Sequence, residues 1–159
     1  MKKIVFLILI IPATPFCQIT NYNKEYTFKR GDINGIGKWY MGREIAHVMG
    51  FQGIGWLERS DREKEEKASV LIHNMGIKPN DIIADIGAGS GYHVLKMAPL
   101  AKNGIIYAVD IQNEMLEEIN RKVESKKMKN VKTILGSVKN IHLPKNSVDK
   151  ILMVDVYHE

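Results

Sequence analysis

Short apolar runs alternate with amphipathic stretches through the second half of the chain. Four runs have the length and apolar content of strands, at residues 81–86, 105–110, 131–135 and 150–156. Residues 90–101 and 112–127 space their apolar side chains at the helical period, which predicts a helix after each of the first two strands. The fourth run follows a loop and is almost uninterrupted, as in parallel strands covered on both faces. This order predicts an α/β fold with a mostly parallel sheet.

The first half of the chain is less regular. Residues 18–40 are polar and contain glycine without a clear period, which indicates an extended lead-in. Residues 41–49 place apolar side chains on one face, which predicts a helix that ends at Gly50. Residues 51–57 form a glycine-rich aromatic turn.

A second helix is predicted at residues 61–75. Ser60 is the expected N-cap, and Glu63 completes a capping box and pairs with Lys67 one turn later. Gly76 ends the helix. The buried stripe is expected to consist of Ala68, Leu71, Ile72 and Met75.

Residues 1–17 have the layout of a secretory signal peptide. Two lysines precede an apolar run at residues 4–11, which is too short to span a membrane. Cleavage before Gln18 predicts an exported protein, periplasmic or secreted, whose mature chain is not inserted in a membrane. Cys17 leaves a lipoprotein as one alternative, and an uncleaved anchor on the cytoplasmic face is another.

Composition limits the remaining possibilities. The chain has 159 residues, enough for one domain, with 45% apolar and 26% charged residues. Its formal net charge is +5, and residues 18–159 hold 21 basic and 18 acidic side chains. That excess is too small to predict nucleic acid as a partner, and long Lys/Arg blocks are absent. Without Cys17 the mature chain has no cysteine, which excludes disulfides, thiolate metal sites and a cysteine nucleophile.

The most informative stretch is residues 81–92, DIIADIGAGSGY, in which a buried strand leads into three alternating glycines. Glycine lets the chain turn tightly and lets a ligand approach the main chain. A dinucleotide-binding turn would need a further glycine at position 92 or 94, where Tyr92 and Val94 stand. Asp85, two residues before the first glycine, suits a ligand that carries an ammonium better than a bare pyrophosphate.

This Asp-x-Gly-x-Gly-x-Gly pattern resembles motif I of the class I S-adenosylmethionine-dependent methyltransferases. The resemblance covers residues 60–159 and includes Asp110 at the end of the second strand and Asp155-Val156-Tyr157-His158 at the end of the fourth. It implies a Rossmann-like three-layer sandwich with strands in the order 3-2-1-4, S-adenosylmethionine as cofactor, and methyl transfer to an unidentified, small-molecule acceptor. The chain then divides into a leader at 1–17, a lead-in and helical cap at 18–59, and the cofactor domain at 60–159.

The resemblance also implies the site. Asp110 accepts the ribose hydroxyls, Ile111 packs on the adenine, and Ser137 stands where the family often has an acid that contacts the adenine amino group. The implied cofactor residues are Asp85, Gly87, Ala88, Gly89, Gly91, Asp110, Ile111, Ser137 and Val138.

The acceptor side of the site is implied by the end of the fourth strand. Asp155, Tyr157 and His158 are candidates to orient or deprotonate the acceptor, and histidine is the natural base near neutral pH. No metal is implied. The lead-in adds four candidates for acceptor contacts, with core packing or solvated surface as the alternative: Arg43, His47, Trp56 and Arg59.

Two other functions stay open. One is an NAD(P)-binding oxidoreductase, and the other is an exported module that binds S-adenosylmethionine without catalysis. The family sheet usually has seven strands, so a chain with four is expected to be a fragment of a longer product. Its fourth strand would be left as an apolar edge.

Overall fold

The computed structural model describes residues 26–156 and contains two sheets. The first is an antiparallel sheet in the order β1-β2-β3, with β1 at Thr27–Phe28, β2 at Gly35–Tyr40 and β3 at Arg43–Ala46. The predicted leader, residues 1–17, lies outside the described residues.

The helix predicted at residues 41–49 is wrong, because β2 and β3 form a hairpin there. Tyr40 pairs with Arg43, and the two-residue turn consists of Met41 and Gly42, at φ +49° and +81°. Two successive residues at positive φ match the twist of a tight hairpin. The strand β2 likewise replaces part of the expected irregular lead-in.

The segment after β3 is helical in short pieces. A 3₁₀ turn at Phe51–Gly53 is followed by α1 at Ile54–Leu57, α2 at Arg62–Glu66 and α3 at Ala68–Asn74. The helix predicted at residues 61–75 is therefore divided in two. Lys67 separates α2 from α3, because it adopts a left-handed conformation with φ +51°.

The capping box predicted for this helix does not form. Asp61, rather than Ser60, occupies the N-cap and makes no side-chain cap. Glu63 accepts a hydrogen bond from the Ser69 amide at 3.0 Å and pairs with Lys96 at 3.0 Å instead of with Lys67. Of the predicted stripe, Ala68 and Ile72 are buried, Met75 is partly buried and Leu71 is exposed.

The α/β part matches the expectation closely. Its strands are β4 at Ile82–Ile86, β5 at Ile105–Asp110, β6 at Val131–Leu135 and β7 at Lys150–Met153. They form a parallel sheet in the order β6-β5-β4-β7, so the predicted α/β class and the strand order 3-2-1-4 are confirmed. The helices are α4 at Tyr92–Met97 and α5 at Asn113–Ser125, both shorter than predicted.

The core lies on both faces of the two central strands. Ile83 and Ala84 of β4 and Ile106 and Ala108 of β5 are completely buried, and Ile119 of α5 is buried with them. Such burial of consecutive residues requires cover on both faces of the sheet. The carboxyl ends of β4 and β5 are therefore held rigidly side by side. No helix in residues 26–156 is long and apolar enough to cross a membrane.

Candidate functional site

The three glycines form a turn at the carboxyl end of β4. Gly87, Gly89 and Gly91 have φ of +70°, +53° and +84°, a region that other residues seldom adopt. The amides of Gly87 and Ala88 both donate to the Val109 carbonyl, at 2.8 and 3.0 Å. The turn is thus fixed to the end of β5.

Gly91 is required by packing as well as by its backbone conformation. A Cβ added there would lie 2.9 Å from Ile119 Cγ1, and Gly91 is also the N-cap of α4. Gly91→Ala is therefore expected to lower the free energy of unfolding by about 3 kcal/mol, from backbone strain together with overpacking. Urea denaturation measures the loss. The matched control is Gly76→Ala, which has the strain at φ +57° but no atom within 4 Å. An equal loss in both variants would show that contact with Ile119 is unimportant.

A cavity of about 580 Å³ lies at the carboxyl ends of β4, β5 and β7. Its volume is within the range of about 300–1,000 Å³ that is typical of small-molecule sites. Gly91 does not line it and acts on the shape of the turn instead. Eight of the nine predicted cofactor residues do line it: Asp85, Gly87, Ala88, Gly89, Asp110, Ile111, Ser137 and Val138.

The acceptor-side candidates are only partly described. Asp155 lines the cavity and is exposed, with φ +55°, a left-handed conformation that aspartate tolerates. This turn ends β7 at Met153, three residues earlier than predicted. Tyr157 and His158 lie outside the described residues, so their roles stay predictions.

Asp110 connects the ends of β4 and β5. One carboxylate oxygen accepts the Gly89 amide and the other accepts the Gln112 amide, each at 2.9 Å. The side chain is nearly buried, at 6% exposure. Each oxygen keeps one lone pair that a hydroxyl can use. Asp110 therefore shapes the glycine turn, a role that the sequence prediction did not include.

Asp85 is a buried carboxylate without a complete set of partners. Its exposure is 2%, and within residues 26–156 its Oδ2 atom has no hydrogen-bond partner. Burial, reinforced by the negative charge of Asp110 and opposed by the Arg62 guanidinium, raises the pKa of Asp85 to about 7. Buried carboxylates are normally paired, so an unpaired one in a cavity indicates a place for a donor ligand.

The lead-in forms one wall of the cavity. Of its four candidates, His47 and Trp56 line the cavity, whereas Arg43 and Arg59 do not. Trp56 is 54% exposed and is therefore not a core residue. Arg59 stacks over the Trp56 ring at 3.9 Å and pairs with Glu65 at 2.6 Å.

Sequence reasoning missed two buried polar residues of the cavity wall, Arg62 and His93, each 6% exposed. Arg62 is held by Glu66 at 2.7 Å and donates to the Leu57 carbonyl at 2.7 Å. Burial lowers the pKa of His93. The position of His93 directly after the glycine turn was the one sequence feature that could have indicated its place in the cavity wall. In residues 26–156 no group of His, Cys, Asp and Glu side chains could hold a metal ion.

Comparisons with known proteins agree with this geometry. Residues 83–159 match the family model described as a methyltransferase domain, which is slightly less than half of the chain. A crystal structure of an S-adenosylmethionine-dependent methyltransferase from Aquifex aeolicus superimposes on this chain with a TM-score of 0.62 and 27% sequence identity. The superposition covers 67% of this chain and 57% of the Aquifex aeolicus chain. Residues 83–159 are thus similar to methyltransferase domains, and the α/β part of the chain has the fold of the Aquifex aeolicus S-adenosylmethionine-dependent methyltransferase.

Curated relatives point the same way. The chain is 33% identical over 86 residues to the uncharacterized methyltransferase YdaC of Bacillus subtilis, covering 54% of this chain and 46% of that protein. It is 28% identical over 88 residues to a protein of Methanosarcina mazei described as "Probable cobalt-precorrin-6B C(15)-methyltransferase (decarboxylating)", covering 55% of this chain and 48% of the other. The chain thus spans about half the length of the curated relatives it matches.

Proposed function

We propose that the protein binds S-adenosylmethionine and transfers its methyl group to a small-molecule acceptor. The observation that carries this proposal is the pair of acids in one cavity, beside a glycine turn. Among residues 26–156 the Oδ2 atom of Asp85 has no hydrogen-bond partner, and Asp110 has spare lone pairs. S-adenosylmethionine presents an ammonium and a ribose diol, which are the donors that two such carboxylates need.

The residues present fit the cofactor. Asp85 would hold the ammonium and Asp110 the ribose hydroxyls. The exposed apolar side chains of Ile111 and Val138 would cover the adenine. The Ser137 hydroxyl already bonds within its own turn, to the Asn140 amide at 3.1 Å, so it is left with little capacity for the adenine amino group. Glycines at the turn leave room for the cofactor against the main chain.

Bound S-adenosylmethionine supplies an electrophilic methyl group on a sulfonium sulfur. The protein's part is to align the acceptor with that group and to exclude water. Trp56 and His47 form the wall from the lead-in, and Asp155 and His93 stand on the α/β side. We propose that His158, with Tyr157 and Asp155, orients the acceptor or takes its proton.

The charge of Asp85 and the spacing of the glycines disfavour an NAD(P) oxidoreductase. The carboxylate of Asp85, just before the turn, would repel a pyrophosphate, and the glycine that a dinucleotide turn needs is replaced by Tyr92. Export also remains a proposal that rests on the sequence of residues 1–17. An exported module that only binds the cofactor would differ by never forming a methylated product.

A thermal-denaturation series with the full chain tests the cofactor class. S-adenosylhomocysteine at 100 times its dissociation constant is expected to raise the midpoint temperature by about 5–10 °C. NAD⁺ and NADH at the same concentration are expected to leave it unchanged. A shift with NADH and none with S-adenosylhomocysteine would overturn the proposal in favour of the oxidoreductase.

A further inference from the structure

Residues 47–62, called the cover segment below, lie across the cofactor cavity. His47, Trp56 and Leu57 from this segment line the cavity. A Cβ added to Gly89 would lie 3.2 Å from Leu57 Cδ1, so Leu57 packs closely on the glycine turn. The cover segment therefore closes the turn on the side where a cofactor would approach it.

Core packing contributes little to the position of this segment, in which the only buried residue is Arg62, at the C-terminal end. Its 3₁₀ turn and α1 contain no buried residue. Helices of three and four residues also have little stability of their own. The position of the cover segment must therefore depend on its polar attachments to the rest of the domain.

Glu58 makes one attachment, to the glycine turn. The Ser90 hydroxyl donates to Glu58 Oε1, and Lys122 Nζ lies 2.8 Å from the same oxygen. Lys122 also donates to the Ser90 carbonyl at 2.9 Å. Ser90 is 1% exposed, so Glu58 is tied to a rigid part of the core. Three residues from three separate elements thus form one closed network.

Gln112 makes a second attachment, beside Asp110. Its amide nitrogen donates to the Met49 carbonyl at 2.9 Å, and its amide oxygen accepts the Phe51 amide at 2.9 Å. The Gln112 main chain donates to Asp110. Both attachments thus reach residues next to proposed cofactor contacts, rather than distant parts of the sheet.

We propose that Glu58 is a positioning residue of the cofactor site. Through Ser90 and Lys122 it holds Trp56 and Leu57 over the glycine turn and so sets the rate at which the bound cofactor leaves. This inference rests on the proposed function. It adds a residue that does not line the cavity itself and acts through Ser90, which does.

Trp56 provides a direct signal for the test. The chain has two tryptophans, Trp39 and Trp56, so a Trp39→Phe background leaves the reporter on the cover segment alone. In this full-length background, the release of S-adenosylhomocysteine is followed by stopped-flow fluorescence. Glu58→Gln keeps the size of the side chain but loses the charge that faces Lys122. We expect release to become about tenfold faster, with an unchanged midpoint temperature.

The control variant and a second test variant both concern Lys122. Glu118 also pairs with Lys122, at 3.4 Å, but is not part of the cover segment, so Glu118→Gln should leave the release rate unchanged. Lys122→Gln should accelerate release like Glu58→Gln, and the double variant should be no faster than either single one. A release rate in Glu58→Gln within twofold of the background would overturn the inference, as would equal acceleration by Glu118→Gln.

Acrylamide quenching separates this inference from the proposed function. Without ligand, Glu58→Gln should make Trp56 more accessible to the quencher, and Glu118→Gln should not. If the background protein fails to bind S-adenosylhomocysteine, the proposed function is wrong. Unchanged quenching would then overturn the positioning role of Glu58 as well, and increased quenching would support it.

Discussion

Asp85→Asn is expected to make the ligand-free protein more stable at pH 8 while weakening its binding of S-adenosylmethionine at least tenfold. Burial and the charge of Asp110 raise the pKa of Asp85 to about 7, against about 3.9 in an unfolded chain. The folded state therefore binds more protons than the unfolded state between about pH 4 and pH 7, and the stability falls as the pH rises through that window. Above about pH 7 the Asp85 carboxylate is ionised in the folded state, and the free energy of unfolding is lowered by the full cost of burying that charge without a partner.

Urea denaturation at pH 8 and at pH 4.5 measures this cost. The Asp85→Asn variant should gain about 2–4 kcal/mol over the original protein at pH 8, and most of that gain should disappear at pH 4.5. Calorimetry at pH 8 should show the weaker cofactor binding, because asparagine cannot pair with an ammonium as a carboxylate does. Stability and binding are thus expected to change in opposite directions.

Asp81 provides the matched control at the opposite end of β4. Its carboxylate lies 2.7 Å from Lys150 Nζ and accepts the Lys78 amide at 2.8 Å, and the bond from Lys150 lowers the pKa of Asp81. Asp81→Asn should therefore lower the stability at pH 8, the opposite of Asp85→Asn. A loss of stability in both variants would contradict the account of Asp85 as an unpaired charge.

Asp110→Ala is expected to reduce the affinity for S-adenosylmethionine at least a hundredfold. The change removes the acceptor of the ribose hydroxyls, with each charged hydrogen bond contributing about 1.5–3 kcal/mol. It also removes the acceptor of the Gly89 and Gln112 amides, so the glycine turn and the attachment of the cover segment both loosen. Calorimetric titration gives the affinity, and circular dichroism confirms that the variant is folded.

Ser137→Ala is the matched control for Asp110→Ala. Ser137 lines the same cavity, but its hydroxyl serves its own turn through the Asn140 amide. Its replacement should change the affinity less than about threefold, because this hydroxyl is already used by its own turn and has little capacity left for the cofactor. If Asp110→Ala has no greater effect than Ser137→Ala, Asp110 does not hold the ribose.

The sequence predicted the parallel sheet well and the first half of the chain poorly. The strands at Ile105–Asp110 and Val131–Leu135 were predicted to the residue, because buried apolar runs lie between clear turns. In residues 41–49 the apolar spacing fitted a helix by coincidence, and Gly42 in the hairpin turn was the cue that mattered more. The break at Lys67 had no local signal, since lysine seldom adopts positive φ.

The candidate site was likewise predicted from the sequence only in part. Asp85, Asp110 and the glycines could be predicted because each stands at the end of a strand whose position the local pattern indicates. The contacts of Glu58 and Gln112 could not, because Glu58 meets Ser90 32 positions away and Gln112 meets Met49 63 positions away. Long-range pairing of polar side chains leaves no periodic trace in a single sequence.

The central claim is that the acids and glycines at the ends of β4 and β5 form a site for S-adenosylmethionine. Calorimetric titration of S-adenosylmethionine into the full chain at pH 8 tests it most directly. The account predicts one site per chain with a micromolar dissociation constant. Absence of any heat of binding from a folded protein at millimolar cofactor would contradict it.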